Sequence, residues 1–246
     1  MKNVATTNRL SQLLCAWSAV ATMVFMFLGL WLAGFLPDAI KPALTADQVA
    51  ALYRDNTLGI RIGGILVVGA AGLYLAFTAG LSAQMRRIEN TIAPVLSYAQ
   101  LAAGTATSFL FLIPGMFWTI AAFRPERSPE LTQALSDVAF LFFLMPYSIA
   151  ALQDLVVGIA ILSDKRESPV FPRWVGYWSL WVAIGFMPAG LAGSFKSGPF
   201  AWNGLFVWWI PLFIFSVWLI SLTIYLIKAI NRQASEEGQS QSNGDS

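Results

Sequence analysis

Apolar residues in this chain come in long unbroken blocks separated by short polar stretches. Stretches such as 138–145 and 205–220 are apolar on every side, which fits neither an amphipathic surface helix nor an alternating strand. A membrane β-barrel would need strands of about ten residues with strict alternation. A helix crosses the hydrocarbon core with about 20 apolar residues, because only internal hydrogen bonds satisfy its backbone there. Six blocks reach that scale, at about 13–36, 57–81, 92–123, 131–162, 174–191 and 202–227. The pattern predicts an all-α polytopic membrane helix bundle with six transmembrane helices. The first block exceeds the 7–15 residues of a signal-peptide core, so it is expected to stay as a helix.

The polar stretches carry their own signals. Thr45-Ala-Asp-Gln48 reads as a capping box. Val49, Leu52 and Tyr53 then share a face, as in a short helix on the outer membrane surface or an ordinary solvated loop helix. Residues 231–246 hold Ser, Gln, Glu and Gly with little to bury, and a disordered polar tail is expected.

Composition sharpens this picture. Of 246 residues, 57% are hydrophobic and 11% charged, against roughly 25% charged in soluble domains. A net charge of +2 and the lack of a basic stripe give no nucleic-acid footprint. Lys2, Arg9, Arg86, Arg87, Lys165, Arg166, Arg173, Lys228 and Arg232 fall on one side of the spans. Six basic residues, Lys41, Arg54, Arg61, Arg124, Arg127 and Lys196, fall on the other. The richer side holds both termini, which are therefore read as cytoplasmic.

Several familiar chemistries are excluded. There is no histidine and the one cysteine is Cys15, which removes Ser-His catalysis, histidine-ligated metals, internal disulfides and CxxC redox pairs. There is no phosphate-cradling P-loop. Asp137 and Asp154 lie about 25 Å apart by helical rise on one expected helix, too far for a paired-carboxylate site. No cofactor and no metal is expected, and an enzyme is the lesser reading.

Four spans hold an interior proline: Pro114, Pro146, Pro188 and Pro211. Each removes a backbone hydrogen bond and favours a kink, and interrupted membrane helices can border a midplane cavity. Gly59 and Gly63 form a GxxxG pair that Gly72 extends, which predicts close helix packing or a dimer interface. Trp174 and Trp202 suit the headgroup boundary. Trp181 and Trp218 lie deeper and could line an aromatic pocket.

Ionisable groups inside a bilayer are costly and mark candidate sites. Arg61 and Asp137 sit at matching depth near the outer face, a possible ion pair. Asp154 is deeper, roughly 13 Å from the inner end of its span. Gln153, Gln100, Tyr74 and Thr78 reach the same depth. Together they form a candidate substrate- or proton-binding cluster, or a polar clasp between helices.

Phe171-Pro-Arg-Trp-Val-Gly-Tyr-Trp178 and Gly198-Pro-Phe-Ala-Trp-Asn-Gly204 together resemble a signature of uncharacterised bacterial six-helix inner-membrane proteins. The resemblance covers about the last third of the chain and implies a multi-pass place in a bacterial cytoplasmic membrane, with no activity attached. The leading expectation is transport or binding of a small hydrophobic or aromatic compound, with proton coupling through Asp154 as one form of it. The alternatives are a non-catalytic subunit or assembly factor docking on a membrane protein partner or a second copy, and a cofactor-free membrane enzyme.

Overall fold

The computed structural model describes residues 2–244, and the side chains of 8–239. Its elements are helical throughout, in the order α1 (Lys2–Leu32), α2 (Ala46–Asp55), α3 (Thr57–Glu89), α4 (Val95–Phe123), α5 (Pro129–Leu144), α6 (Tyr147–Ser163), α7 (Arg173–Gly185) and α8 (Ile210–Gly244). A 3₁₀ turn at Met187–Leu191 and a π-helical turn at Leu205–Trp209 lie between α7 and α8.

Five stretches are long and apolar enough to cross a bilayer: Asn8–Leu32, Thr57–Glu89, Val95–Phe123, Pro129–Ser163 and Leu205–Gln239. The expected block at 174–191 is not among them. Its helix α7 has 13 residues, about 20 Å at 1.5 Å per residue. Pro188 lacks the N–H that would continue the ladder, and the chain turns into the 3₁₀ segment. The two ends of this region nevertheless lie at different places in the bundle. Trp174 meets Tyr225 of α8 edge-on at 5.8 Å, whereas Trp202 donates to Ile40 O, between α1 and α2, at 2.6 Å.

Glycines decide how α1, α3 and α4 meet. A Cβ on Gly29 would stand 2.7 Å from Gly63 O, and one on Gly115 would stand 2.7 Å from Gly64 O. Only hydrogen fits there, so α3 lies backbone to backbone against α1 on one side and α4 on the other. Gly59 faces Leu32 O in the same way. The expected GxxxG seam is thus spent inside the bundle. Gly72, expected to extend it, is exposed with nothing against its Cβ position.

The proline effects are uneven. Pro114 sits buried within an unbroken α4. At Pro146 the expected single helix divides, α5 ending at Leu144 and α6 starting at Tyr147. Pro211 stands in the first turn of α8, directly after the π-helical turn.

Short polar contacts fix the ends. The capping box forms, with Thr45 N donating to Gln48 Oε1 at 2.9 Å and Gln48 N to Thr45 Oγ1 at 3.4 Å. Val49, Ala50 and Tyr53 of α2 are buried in the protein, so this helix packs on the bundle through them; Leu52 is exposed. Glu89 caps α4, accepting from Leu96 N at 2.9 Å, Ser97 N at 2.7 Å and Ser97 Oγ at 2.5 Å. A carboxylate there satisfies free N–H groups and suits the positive end of the helix dipole.

The stretch from Asn231, expected to be disordered, continues α8 as helix through Gly244, with residues 245 and 246 outside the described ones. Its side chains find partners on other elements. Arg9 donates to Asn231 Oδ1 at 2.8 Å. Gln84 Nε2 donates to Gln12 Oε1 at 2.5 Å and to Gln233 Oε1 at 2.8 Å, and Gln84 Oε1 accepts from Arg87 at 2.8 Å. Arg87 and Glu236 form an ion pair at 2.9 Å. The start of α1 and the end of α8 therefore lie side by side.

Candidate functional site

An apolar cavity of about 70 Å³ lies where three interrupted helices converge. Leu144 and Tyr147 flank the α5–α6 break, Phe186 and Ala189 the start of the 3₁₀ turn, and Trp208, Pro211 and Leu212 the entry to α8. Phe111, Phe143 and Phe215 complete an aromatic wall. Gly190 makes room for Tyr147, since a Cβ there would stand 2.5 Å from the ring. Among the lining residues Trp208 is fully buried and its indole N–H has no hydrogen-bond partner. The cavity is smaller than the roughly 150 Å³ apolar void that takes benzene, so a single-ring compound enters only as side chains at the breaks shift.

Beneath this wall lie Tyr74 and Gln153, two residues of the candidate polar cluster. Tyr74 packs on Phe111 at 5.5 Å and on Phe215 at 6.0 Å. Its hydroxyl donates to Gln153 Oε1 at 2.8 Å, both residues buried. Thr78 and Gln153 meet over Gly104, where a Cβ would stand 2.7 Å from Gln153 Nε2; the Thr78 hydroxyl itself turns back to Leu75 O at 2.8 Å. Gln100 pairs through Oε1 with the hydroxyl of Ser82, which also donates to Ser97 O at 2.9 Å. Asp154 is 2% exposed and lies within electrostatic reach of Tyr74. Gln100 Nε2, Gln153 Nε2 and Asp154 Oδ2 are buried with no hydrogen-bond partner, and a buried polar group left so costs roughly 1–3 kcal/mol. Tyr74, Thr78, Gln153 and Asp154 thus lie close together between α3 and α6, with Gly104 of α4 against Thr78 and Gln153, whereas Gln100 bonds to Ser82 instead. The rings of Phe111 and Phe215 stand between Tyr74 and the cavity.

The Arg61–Asp137 ion pair does not form. Arg61 donates instead to Ala122 O at 3.1 Å and Phe123 O at 2.7 Å, and lies over the Phe123 ring. The last carbonyls of α4 have no helical partners and carry the negative end of its dipole, so they take the guanidinium. Two deep tryptophans also differ from expectation. Trp181 is 67% exposed, pointing away from any pocket. Trp218 is buried and donates to Ser179 Oγ at 3.0 Å.

Ser82, Ser97 and Glu89 escaped the sequence reading. A signal was present for one of them. Tyr74, Thr78 and Ser82 recur every four residues and so share a face of α3. Glu89 gave none, because its capping role depends on how the α3–α4 turn folds back, with Asn90 in the left-handed region at φ 42°.

No protein-family profile, no curated protein and no solved structure matches the chain. Its long apolar helices define it as a multi-pass helical membrane protein.

Proposed function

We propose that this protein binds a small hydrophobic or aromatic compound in the cavity at the three helix breaks and carries it across a bacterial inner membrane. In this reading the chain crosses six times, α7 and the 3₁₀ turn making the fifth crossing, with both termini cytoplasmic. The separation of Trp174 from Trp202 and the contact between Arg9 and Asn231 support that topology, as does the excess of basic residues on the terminal side.

One observation carries the functional reading. Three proline-associated interruptions meet at one apolar cavity, and its aromatic floor rests on Tyr74, which is bonded to Gln153 beside Asp154. Broken helices supply a place that can deform, and apolar rings supply affinity for a compound without charge. Asp154 supplies a carboxylate that takes up a proton when the floor rearranges, which couples movement of the compound to a proton gradient.

The test uses the full chain in proteoliposomes, with uptake of single-ring aromatics measured under an imposed pH gradient. Ala150→Phe fills the cavity from α6 and is expected to abolish uptake, while Asp154→Asn is expected to abolish its dependence on the gradient. If both variants transport like the parent, the proposal fails. Failure of Asp154→Asn to assemble would make the cluster a structural clasp.

A further inference from the structure

We propose that the groove between the start of α7 and the C-terminal half of α8 binds the phosphate headgroup of an anionic phospholipid. The inference rests on the chain lying in a bilayer and is independent of what the internal cavity binds. The groove, of about 270 Å³, lies between loop 169–172 and α8 and is lined by Pro169, Val170, Pro172, Tyr225, Lys228 and Arg232, with Ala229 at its base. Its floor is apolar and its charged lining residues are both cations.

The two cations have different duties. Arg232 donates to Ser168 Oγ at 2.8 Å and Pro169 O at 2.6 Å, which fixes the loop against α8, and its Nε faces Glu236 Oε1 at 3.8 Å, so this guanidinium is already engaged. Lys228 is exposed and only lies over the Tyr225 ring, at 4.9 Å. Among the described residues it forms no ion pair, so its ammonium is free for a phosphate. Arg173, exposed and without an ion pair among the described residues, follows Pro172 at the groove edge.

The surface leading to the groove suits the rest of a lipid. Ile220 and Ile224 are exposed on α8 and precede Lys228 at intervals of four, so all three share a face. On α7, Trp174, Tyr177 and Trp181 form a second exposed row, and Trp174 touches Tyr225. Acyl chains lying along these rows bring a headgroup to Lys228, at the depth where tryptophan and tyrosine mark the interface. A phosphate meets the mobile Lys228 ammonium and the half-buried ring of Tyr225, beside an anchored guanidinium whose charge Glu236 partly offsets. A zwitterionic lipid brings its own cation into the same groove and loses most of that attraction.

The experiment uses the detergent-solubilised full chain with micelles carrying phosphatidylglycerol or phosphatidylcholine, and counts retained lipid by native mass spectrometry. Preferential retention of phosphatidylglycerol is expected, and Lys228→Gln is expected to weaken it about fivefold, the factor one lysine supplies near an anionic surface. Lys41→Gln, at the other end of the bundle, is expected to change nothing, and millimolar inorganic phosphate is expected not to displace the lipid. Equal retention of the two lipids, an unaffected Lys228→Gln, or an equal drop in Lys41→Gln would overturn the proposal. Displacement by inorganic phosphate would also overturn it, reassigning the groove to a soluble anion.

Discussion

The Tyr74 hydroxyl lies 2.8 Å from Gln153 Oε1, and this bond ties α3 to α6 directly below the aromatic wall. Tyr74→Phe keeps the ring and removes the donor. Hydrogen bonds between membrane helices average about 0.6 kcal/mol, with a maximum near 1.7 kcal/mol. A double-mutant cycle with Gln153→Leu, read by unfolding in mixed micelles, is expected to give a coupling in that range. A coupling indistinguishable from zero would show that the two helices are held by packing alone.

The cavity at the helix breaks predicts a rescue. Leu144→Ala enlarges it, at an expected cost of about 2–5 kcal/mol for a truncated buried leucine. A compound that fills the enlarged space stabilises only the folded state, by mass action. The melting temperature of Leu144→Ala is therefore expected to rise in saturating benzene by more than that of the parent protein. Equal shifts in both would mean that benzene partitions elsewhere.

The contact between Gly64 and Gly115 predicts strong intolerance. A methyl on Gly115 would stand 2.7 Å from Gly64 O and 2.9 Å from Val68 Cγ2. Backbone faces backbone, so α4 must shift as a body. Gly115→Ala is expected to cost about 1–3 kcal/mol by overpacking, measured against Gly72→Ala, whose Cβ meets open space. Equal stability of the two variants would contradict the packing described.

Asp164, just after α6, predicts a pH dependence. Burial opposes its charge, but bonds from Arg166 Nε and Nη2, both at 2.9 Å, and from Val170 N at 2.9 Å outweigh this and hold the carboxyl below its ordinary value. A depressed carboxylate pKa contributes stability that is present above the unfolded value, about 3.9, and is lost as pH falls through the folded one. Acid is therefore expected to loosen loop 164–172, followed by protease cleavage there from about pH 4 downward. In Asp164→Asn that cleavage is expected to be already present at pH 7.

The architecture was legible because it depends on long apolar runs, which tolerate large errors in where a helix ends. The pairing of Tyr74 with Gln153 follows from a related pattern. Depth along a straight helix sets Tyr74, Thr78, Gln100, Gln153 and Asp154 at one expected level, but it did not show that Gln100 turns to Ser82. Depth alone did not fix the Arg61 contact, because matching levels say nothing about which neighbour turns a given face inward. Free carbonyls at the end of α4 proved nearer than Asp137. The stretch after Asn231 misled through composition, since its helix is held by bonds to Gln84, Arg87 and the α6–α7 loop, all remote in sequence.

The interruptions at 145–147, 186–191 and 205–209 border a single cavity, while α1 and α4, which also line it, pass it unbroken. On one side of it stand the turns knitted by the amides and ion pair around Gln84 and Arg87; on the other, indole and loop contacts such as Trp202 to Ile40 O. The half of the fold built from α5 to α8 therefore has its joints at one level, set against a core of α1, α3 and α4 that glycine contacts hold together. The fold thereby possesses a wrist on one side of a continuous spine.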